Sequence, residues 1–244
     1  MKQRADQLLV QRGLAPTRAR AQALILAGKV YVGEQRVDKA GALVAEDAAI
    51  TLRGEDHPYV SRGGVKLAGA LDGFGVDPRG KRCLDLGAST GGFTDCLLQR
   101  GALTVAAVDV GYGQLAHSLR VDARVLNLER TNARDLQAYQ VGGEVDLTVV
   151  DASFIGLGKL AEAIARCTKH GGELVALVKP QFEVGKDEVS KTRGVVRDPE
   201  LRARAIEEAV SDIQAAGFEI LGTADCVLPG PKGNLEAFLH ARRL

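Results

Sequence analysis

The sequence predicts an α/β chain: one mostly parallel sheet with helices on both faces, preceded by a small α+β segment. Three observations predict it. Between Arg82 and Ala241, seven short apolar runs are separated for the most part by stretches of helical periodicity, the pattern of a doubly wound sheet. The first of those runs, Cys83-Leu84-Asp85-Leu86, ends in the glycine-rich turn Gly87-Ala88-Ser89-Thr90-Gly91-Gly92. Such a turn lets backbone approach a nucleotide-like ligand at the carboxyl edge of a sheet. Before residue 58 the hydrophobic period instead switches early from helical to two, which marks a separate small fold.

Taken in order, the first segment reads as two short helices and then small strands. Leu8 and Leu9 supply the apolar face of the first helix, and Gly13 stops it. Thr17 can cap a second helix that Gly28 follows. Val30 and Val32 then alternate with Tyr31, Gly33-Glu34-Gln35 makes a turn, and Ile50-Thr51-Leu52 reads as a closing strand. Pro58, after a charged stretch, interrupts regular structure and marks a linker, giving domains 1–58 and 59–244. In the second domain the strands are expected at 82–86, 104–109, 124–128, 145–151, 173–179, 217–224 and 235–241. The clearest helix runs from Glu200 to Ala216, with Leu201, Ala205, Ala209 and Ile213 on one face.

Composition bounds the function classes. With 244 residues and 45% apolar content the chain can bury an ordinary core. The formal net charge of +1 predicts no polyanionic partner by itself. Residues 1–40, however, hold eight basic side chains against three acidic ones. A basic segment on a more acidic body suits a phosphate backbone, although a solvated charged face has the same composition. Cys83, Cys96, Cys167 and Cys226 are widely spaced, contain no C-x-x-C pair and sit among apolar residues, as in a reduced, cytoplasmic protein. No apolar run approaches the ~20 residues needed to span a bilayer, and the N-terminus has no signal-peptide core.

The turn after the first strand serves dinucleotides as well as S-adenosylmethionine, and its spacing separates the two. Asp85 stands two residues before the first glycine, where it would repel a pyrophosphate yet could hold, directly or through water, the ammonium of a methionine moiety. Asp109 ends the second strand roughly twenty residues later, where a carboxylate can accept both hydroxyls of a ribose. Asn132, after the third strand, fits either the adenine edge or an ordinary polar turn. The cofactor-facing set is therefore Asp85, Gly87, Ser89, Gly91, Phe93, Asp109 and Asn132, and the cofactor expected is S-adenosylmethionine.

Four further residues lie in or beside strand ends or turns: Lys66 in Gly63-Gly64-Val65-Lys66, Asp151 in Val149-Val150-Asp151, Lys179 in Leu177-Val178-Lys179-Pro180, and Glu236 in Asn234-Leu235-Glu236. Each has a bland reading alone, as a helix-surface lysine, an edge-strand acid or an ordinary ion pair. Together, two lysines and two carboxylates near such a cofactor suit proton abstraction from a poor nucleophile such as a ribose hydroxyl. The set asks for no metal.

Two resemblances carry these residues further. Arg4-Ala5-Asp6-x-Leu8-Leu9, Thr17-Arg18-Ala19-Arg20-Ala21 and Gly28-Lys29-Val30-x-Val32-Gly33 resemble the S-four type of RNA-binding domain over residues 1 to about 55. A DNA-reading helix-turn-helix fits less well, because strands follow where a third helix is expected. That resemblance implies phosphate contacts by Arg4, Arg18, Arg20 and Lys29. The order Lys66, Asp151, Lys179, Glu236 in these contexts resembles the FtsJ-like (RrmJ-type) ribose 2′-O-methyltransferases. With Asp109-Val110-Gly111-Tyr112-Gly113 and Glu129-Arg130-Thr131-Asn132 added, essentially the whole chain is similar to the TlyA (haemolysin A) family of ribosomal RNA methyltransferases.

The resemblance implies a Rossmann-like methyltransferase fold, 2′-O-methylation of ribosomal RNA cytidines, and ribosomal RNA or ribosomal subunits as partners. It also implies Lys179 as base, Asp151 and Glu236 as orienting carboxylates, and Lys66 as stabiliser of the developing oxyanion. A free lysine, with a pKa of about 10.4, is a poor base at neutral pH, and burial or a nearby cation must lower it. Two other classes stay in view: a membrane-active haemolysin-like protein, set against the missing membrane span, and a noncatalytic RNA-binding protein, set against the four charged residues.

Overall fold

The computed structural model describes residues 2–26, 28–52, 57–184, 194–230 and 232–244, and the chain divides into two compact units, Met1–Asp56 and His57–Leu244. The charged residues 53–56 of the expected linker lie outside the described residues.

The first unit contains β1 (Lys2–Arg4), α1 (Ala5–Gln11), α2 (Arg18–Leu26), β2 (Val30–Val32), β3 (Gln35–Arg36), β4 (Leu43–Ala45) and β5 (Ile50–Leu52). Gly13 takes a positive φ of 69° as the chain leaves α1, which a residue without Cβ does at no steric cost. The Thr17 hydroxyl accepts from the Arg20 amide at 3.2 Å, capping α2. Leu8, Leu9, Ala21, Leu24, Ile25 and Val30 form the core. Strands β3, β2 and β5 make one small sheet, while β1 and β4 pair antiparallel as a second. That second pair was not expected from the sequence. Strands of three residues are too short to show alternation, and their pairing is set by contacts some forty positions apart in the chain.

The second unit opens with α3 (Arg62–Phe74) and continues through β6 (Arg82–Leu86), α4 (Gly92–Gln99), β7 (Thr104–Val108), α5 (His117–Arg120), β8 (Val125–Leu128), β9 (Val145–Val150), α6 (Ala161–Cys167), β10 (Thr168–Val178), α7 (Pro180–Glu183), α8 (Pro199–Ala215), β11 (Phe218–Asp225) and β12 (Ala237–Arg243). The seven strands form one sheet in the order β11-β12-β10-β9-β6-β7-β8. Only β12 runs against the others, so the sheet is mostly parallel, as expected.

Alternation along each strand splits the core between the two faces. Leu84, Leu86, Val108 and Val150 pack with Ile164 of α6 and with Ala209 and Ile213 of α8. Cys83, Val105, Val149 and Val175 pack with Leu67 and Leu71 of α3 and with Phe93, Cys96 and Leu97 of α4. The same alternation turns Asp85 toward α4. The last strand begins two residues later than expected and lies between β10 and β11, which leaves Glu236 in the turn that enters it.

Candidate active site

Strand register gathers three of the four charged residues at one edge of the sheet, and a helix supplies the fourth. Val178 of β10 lies opposite Ala237 of the antiparallel β12, so Lys179 and Glu236 leave the sheet side by side. Ala176 pairs with Val150, and Val150 with Leu86. Asp151 and Gly87 therefore come off the same edge, and the Asp151 amide donates to the Leu86 carbonyl at 2.9 Å. Lys66 comes from α3, one helical turn before Ala70 on that helix's buried side.

The four side chains form two ion pairs. Lys179 Nζ lies 2.6 Å from Asp151 Oδ1 and donates to Ser153 Oγ at 2.8 Å. Lys66 Nζ pairs with Glu236 Oε2. Both lysines are only 8% exposed, and an ammonium buried that deeply is tolerated only with such a partner. The Cys226 thiol is pushed up by burial, with Lys66, Glu236 and Asp151 as smaller influences. The entry to β12 is braced on either side of Glu236. Arg202 donates to the Leu235 carbonyl at 2.9 Å and pairs with Asp225, while the buried Asn234 accepts from the Val196 amide at 2.9 Å.

Beside the pairs runs the glycine turn. Gly87 has a φ of 87°, and a Cβ there would come 2.8 Å from the Asp151 carbonyl oxygen. Only glycine lets the turn lie this close to Asp151. The Asp109 carboxylate, half-buried at the end of β7, accepts from the Ser89 amide at 2.8 Å and the Gly111 amide at 2.6 Å, which fixes it over the turn with lone pairs to spare. Ser89 itself is held at a positive φ of 49°. Asp85 is sealed from solvent; its Oδ2 accepts from the Thr94 amide at 2.9 Å and the Thr94 hydroxyl at 2.6 Å, while its Oδ1 has no partner. Burial, with Asp151 and Asp109 nearby, pushes this carboxyl up to about 7. A buried acid oxygen without a donor suits an ammonium, and a carboxylate at the strand end suits a diol, so these residues fit S-adenosylmethionine.

Of the expected cofactor residues, Phe93 is placed otherwise, and Asn132 takes the polar-turn alternative. Phe93 is turned inward: its ring is buried and stacks on Phe238 at 6.1 Å, because α4 needs that face for the core. Asn132 caps a short 3-10 turn, accepting from the Arg134 amide at 3.2 Å and donating to Asp135 at 2.8 Å. Gly91 takes a positive φ of 94° where α4 starts.

In the first unit, Arg4 and Arg18 reach inward as well as outward. Their Nε atoms lie 3.0 and 2.9 Å from the fully buried Asp6, while both side chains stay about half exposed. Arg20 and Lys29 are both half-buried on the same unit.

Sequence reasoning missed Ser153 and Phe154. Phe154 is 91% exposed, holds a positive φ of 67°, and sits with its ring 5.3 Å from that of Phe182. An aromatic three residues after a strand-end acid was the available signal.

The family described as FtsJ-like methyltransferase matches residues 59–243, and the S4 domain matches residues 3–50. The chain is 50% identical over 240 residues to the 16S/23S rRNA (cytidine-2′-O)-methyltransferase TlyA of Mycobacterium tuberculosis, covering 98% of this chain and 89% of that protein. It is similar to a solved structure from Streptococcus thermophilus that carries a provisional hemolysin name, at 38% identity and TM-score 0.77, covering 99% of this chain and 88% of that one. An S-adenosylmethionine dependent methyltransferase from Mesorhizobium loti shares the fold at 15% identity and TM-score 0.55, covering 72% of this chain and 96% of that one.

Proposed function

The chain belongs to the FtsJ-like methyltransferase family, with an S4 domain ahead of the methyltransferase body, and on that premise we propose that it moves a methyl group from S-adenosylmethionine to ribose 2′-hydroxyls of ribosomal RNA. The observation that carries this reading is the pairing of two buried lysines with two carboxylates beside the glycine turn. Cytidine is the target nucleoside favoured by the 50% identical relative named for that reaction. Residues 1–58 serve as the RNA anchor and 59–244 as the catalytic body, acting in the cytoplasm on ribosomal subunits.

When bound, S-adenosylmethionine supplies an activated sulfonium methyl. The protein's own task is then to align the ribose oxygen and take its proton. Lys179 Nζ, in its neutral amine form, takes that proton and becomes the ammonium that Asp151 holds. Asp151 holds the amine through Oδ1 and its carbonyl, at 2.6 and 3.4 Å, and Ser153 holds it from the side. Lys66, steadied by Glu236, presents positive charge to the oxygen as it becomes negative. Asp109 and Ser89 would hold the adenosine end, and Asp85 would supply the carboxylate for the ammonium. The exposed Phe154 ring beside the pairs offers a stacking face for a base next to the target.

The test is methyl transfer from labelled S-adenosylmethionine to isolated ribosomal subunits, with the product mapped. A 2′-O-methyl group on ribosomal RNA is expected; label that never reaches a ribose would overturn the reading. The hemolysin name of one similar structure favours a second reading, membrane activity. Among the described residues no helix is long and apolar enough to cross a membrane, and liposome leakage by the pure protein would be its direct measure. A noncatalytic RNA-binding role would give RNA binding without transfer.

A further inference from the structure

We propose that Glu183 is a positioning residue of this centre: its carboxylate grips the Leu157 amide and so holds the loop bearing Asp151 and Ser153 against the helix that starts at Lys179. The inference rests on the function proposed above.

Two segments far apart in sequence supply the Lys179 pair. One is the loop after β9, which carries Asp151 and Ser153; the other is α7, a single turn whose N-cap is Lys179. They are joined at the chemical end by Lys179 itself. At the far end both Glu183 oxygens lie within bonding distance of the Leu157 amide, at 3.0 and 3.1 Å, across 26 positions of sequence. The fit there is close, since a Cβ on Gly156 would come 2.9 Å from Glu183 Oε2 and 3.3 Å from the Phe182 carbonyl. Between the two ends, Phe154 meets Phe182.

Glu183 lies four positions along from Lys179, a helical rise of about 6 Å, so a shift at the grip is transmitted to the amine. A misplacement of about 1 Å can cost on the order of a hundredfold in rate. Among the described residues no basic side chain pairs with Glu183; Asp212 and Glu208 of α8 add to the effect of burial, which pushes the carboxyl up to about 7. The acid thus stands where its own charge is disfavoured, as is common for groups kept for function.

The experiment compares the full-length parent with Glu183→Ala, Glu183→Gln and Gly156→Ala. Single-turnover methylation at saturating cofactor and RNA should fall at least tenfold in Glu183→Ala and severalfold in Gly156→Ala, and Glu183→Gln, which still offers an oxygen to the Leu157 amide, should recover most of the rate. Cofactor and RNA dissociation constants should stay within about twofold, a split that general loosening of the fold would not give. Parental rates in Glu183→Ala, or equal losses in the alanine and glutamine variants, overturn the proposal. Hydrogen–deuterium exchange of residues 151–157 needs no methyl transfer: it should quicken in Glu183→Ala and not in Glu183→Gln, and unchanged exchange in Glu183→Ala also overturns it. An inactive parent with the expected exchange pattern would instead count against the assigned reaction alone.

Discussion

Each compact unit seals one aspartate completely from solvent, and the two are treated in opposite ways. Asp6 is saturated: Arg4 reaches it at 3.0 and 3.1 Å, Arg18 at 2.9 Å, Gln22 at 3.0 Å and the Gln7 amide at 3.0 Å. Hydrogen bonding to Arg4 leads these partners in holding its carboxyl well below the usual carboxylate range. Asp85 has one oxygen bound to Thr94 and the other bound to nothing, and burial drives its carboxyl up to about 7. A buried acid completed by its own fold is architecture. A buried acid left incomplete, among strand ends that also gather two lysines, marks the side where a ligand belongs.

The contrast is sharpest if charge in the second unit can be removed without loss of fold. Lys179→Ala should lower single-turnover methyl transfer by roughly 10²- to 10⁴-fold, the range for a proton-transfer group, while cofactor affinity and melting temperature stay near parental. Lys66→Ala and Glu236→Ala should also slow the step, with losses that do not add, because groups acting on one proton transfer fail together. Near-parental rates in Lys179→Ala would remove the base from the mechanism and break the distinction between the two units.

Next in size is the effect on the cofactor. Asp85→Asn should weaken S-adenosylmethionine binding by about 1–3 kcal/mol, the cost of an unmatched buried polar partner, and Asp6→Asn should leave it untouched. Titration calorimetry on both variants decides this. Equal affinity in Asp85→Asn and the parent would reduce Asp85 to a brace for α4.

The two acids also predict opposite pH dependence of stability. The folded protein holds the Asp85 proton more tightly than the unfolded chain does, so between about 4 and 7 this group lowers stability as pH rises. Asp6 acts below its ordinary value of 3.8: its contribution is complete above that pH and is lost as pH falls. Calorimetric scans of the full chain should show the first slope reduced in Asp85→Asn, with Glu183 supplying what remains, and the acid-side loss reduced in Asp6→Asn. Unaltered slopes in both variants would mean other groups govern them.

What the sequence disclosed follows from where its signals are local. An apolar run that ends in a charge, as in Val149-Val150-Asp151 or Leu177-Val178-Lys179, marks the carboxyl edge of a buried strand within a few residues, and so the sheet and its charged rim were legible. Which lysine joins which acid was not, because it depends on the Val178–Ala237 register across some sixty positions. The inward turn of Phe93 depends on Phe238, and the grip of Glu183 on Leu157 spans 26 positions. The basic residues of the first unit looked like one patch in composition; the structure divides them by their relation to Asp6.

That division gives the smallest and most specific prediction. If Arg18 both braces Asp6 and touches phosphate, Arg18→Gln should lower RNA affinity and the melting temperature together. Arg20→Gln, half-buried on the same helix, should lower RNA affinity and leave the Asp6 cluster intact. Each lost phosphate contact should reduce the slope of log affinity against log salt by about 0.7 to 0.9, which at moderate salt is a change of less than roughly tenfold. Filter binding of ribosomal RNA over a salt series, beside calorimetry of the same variants, separates the two effects. Arg18→Gln melting at the parental temperature would show that Asp6 is satisfied without Arg18, and the contrast with Asp85 would then rest on Arg4. Identical salt slopes in Arg20→Gln and the parent would take that helix off the RNA.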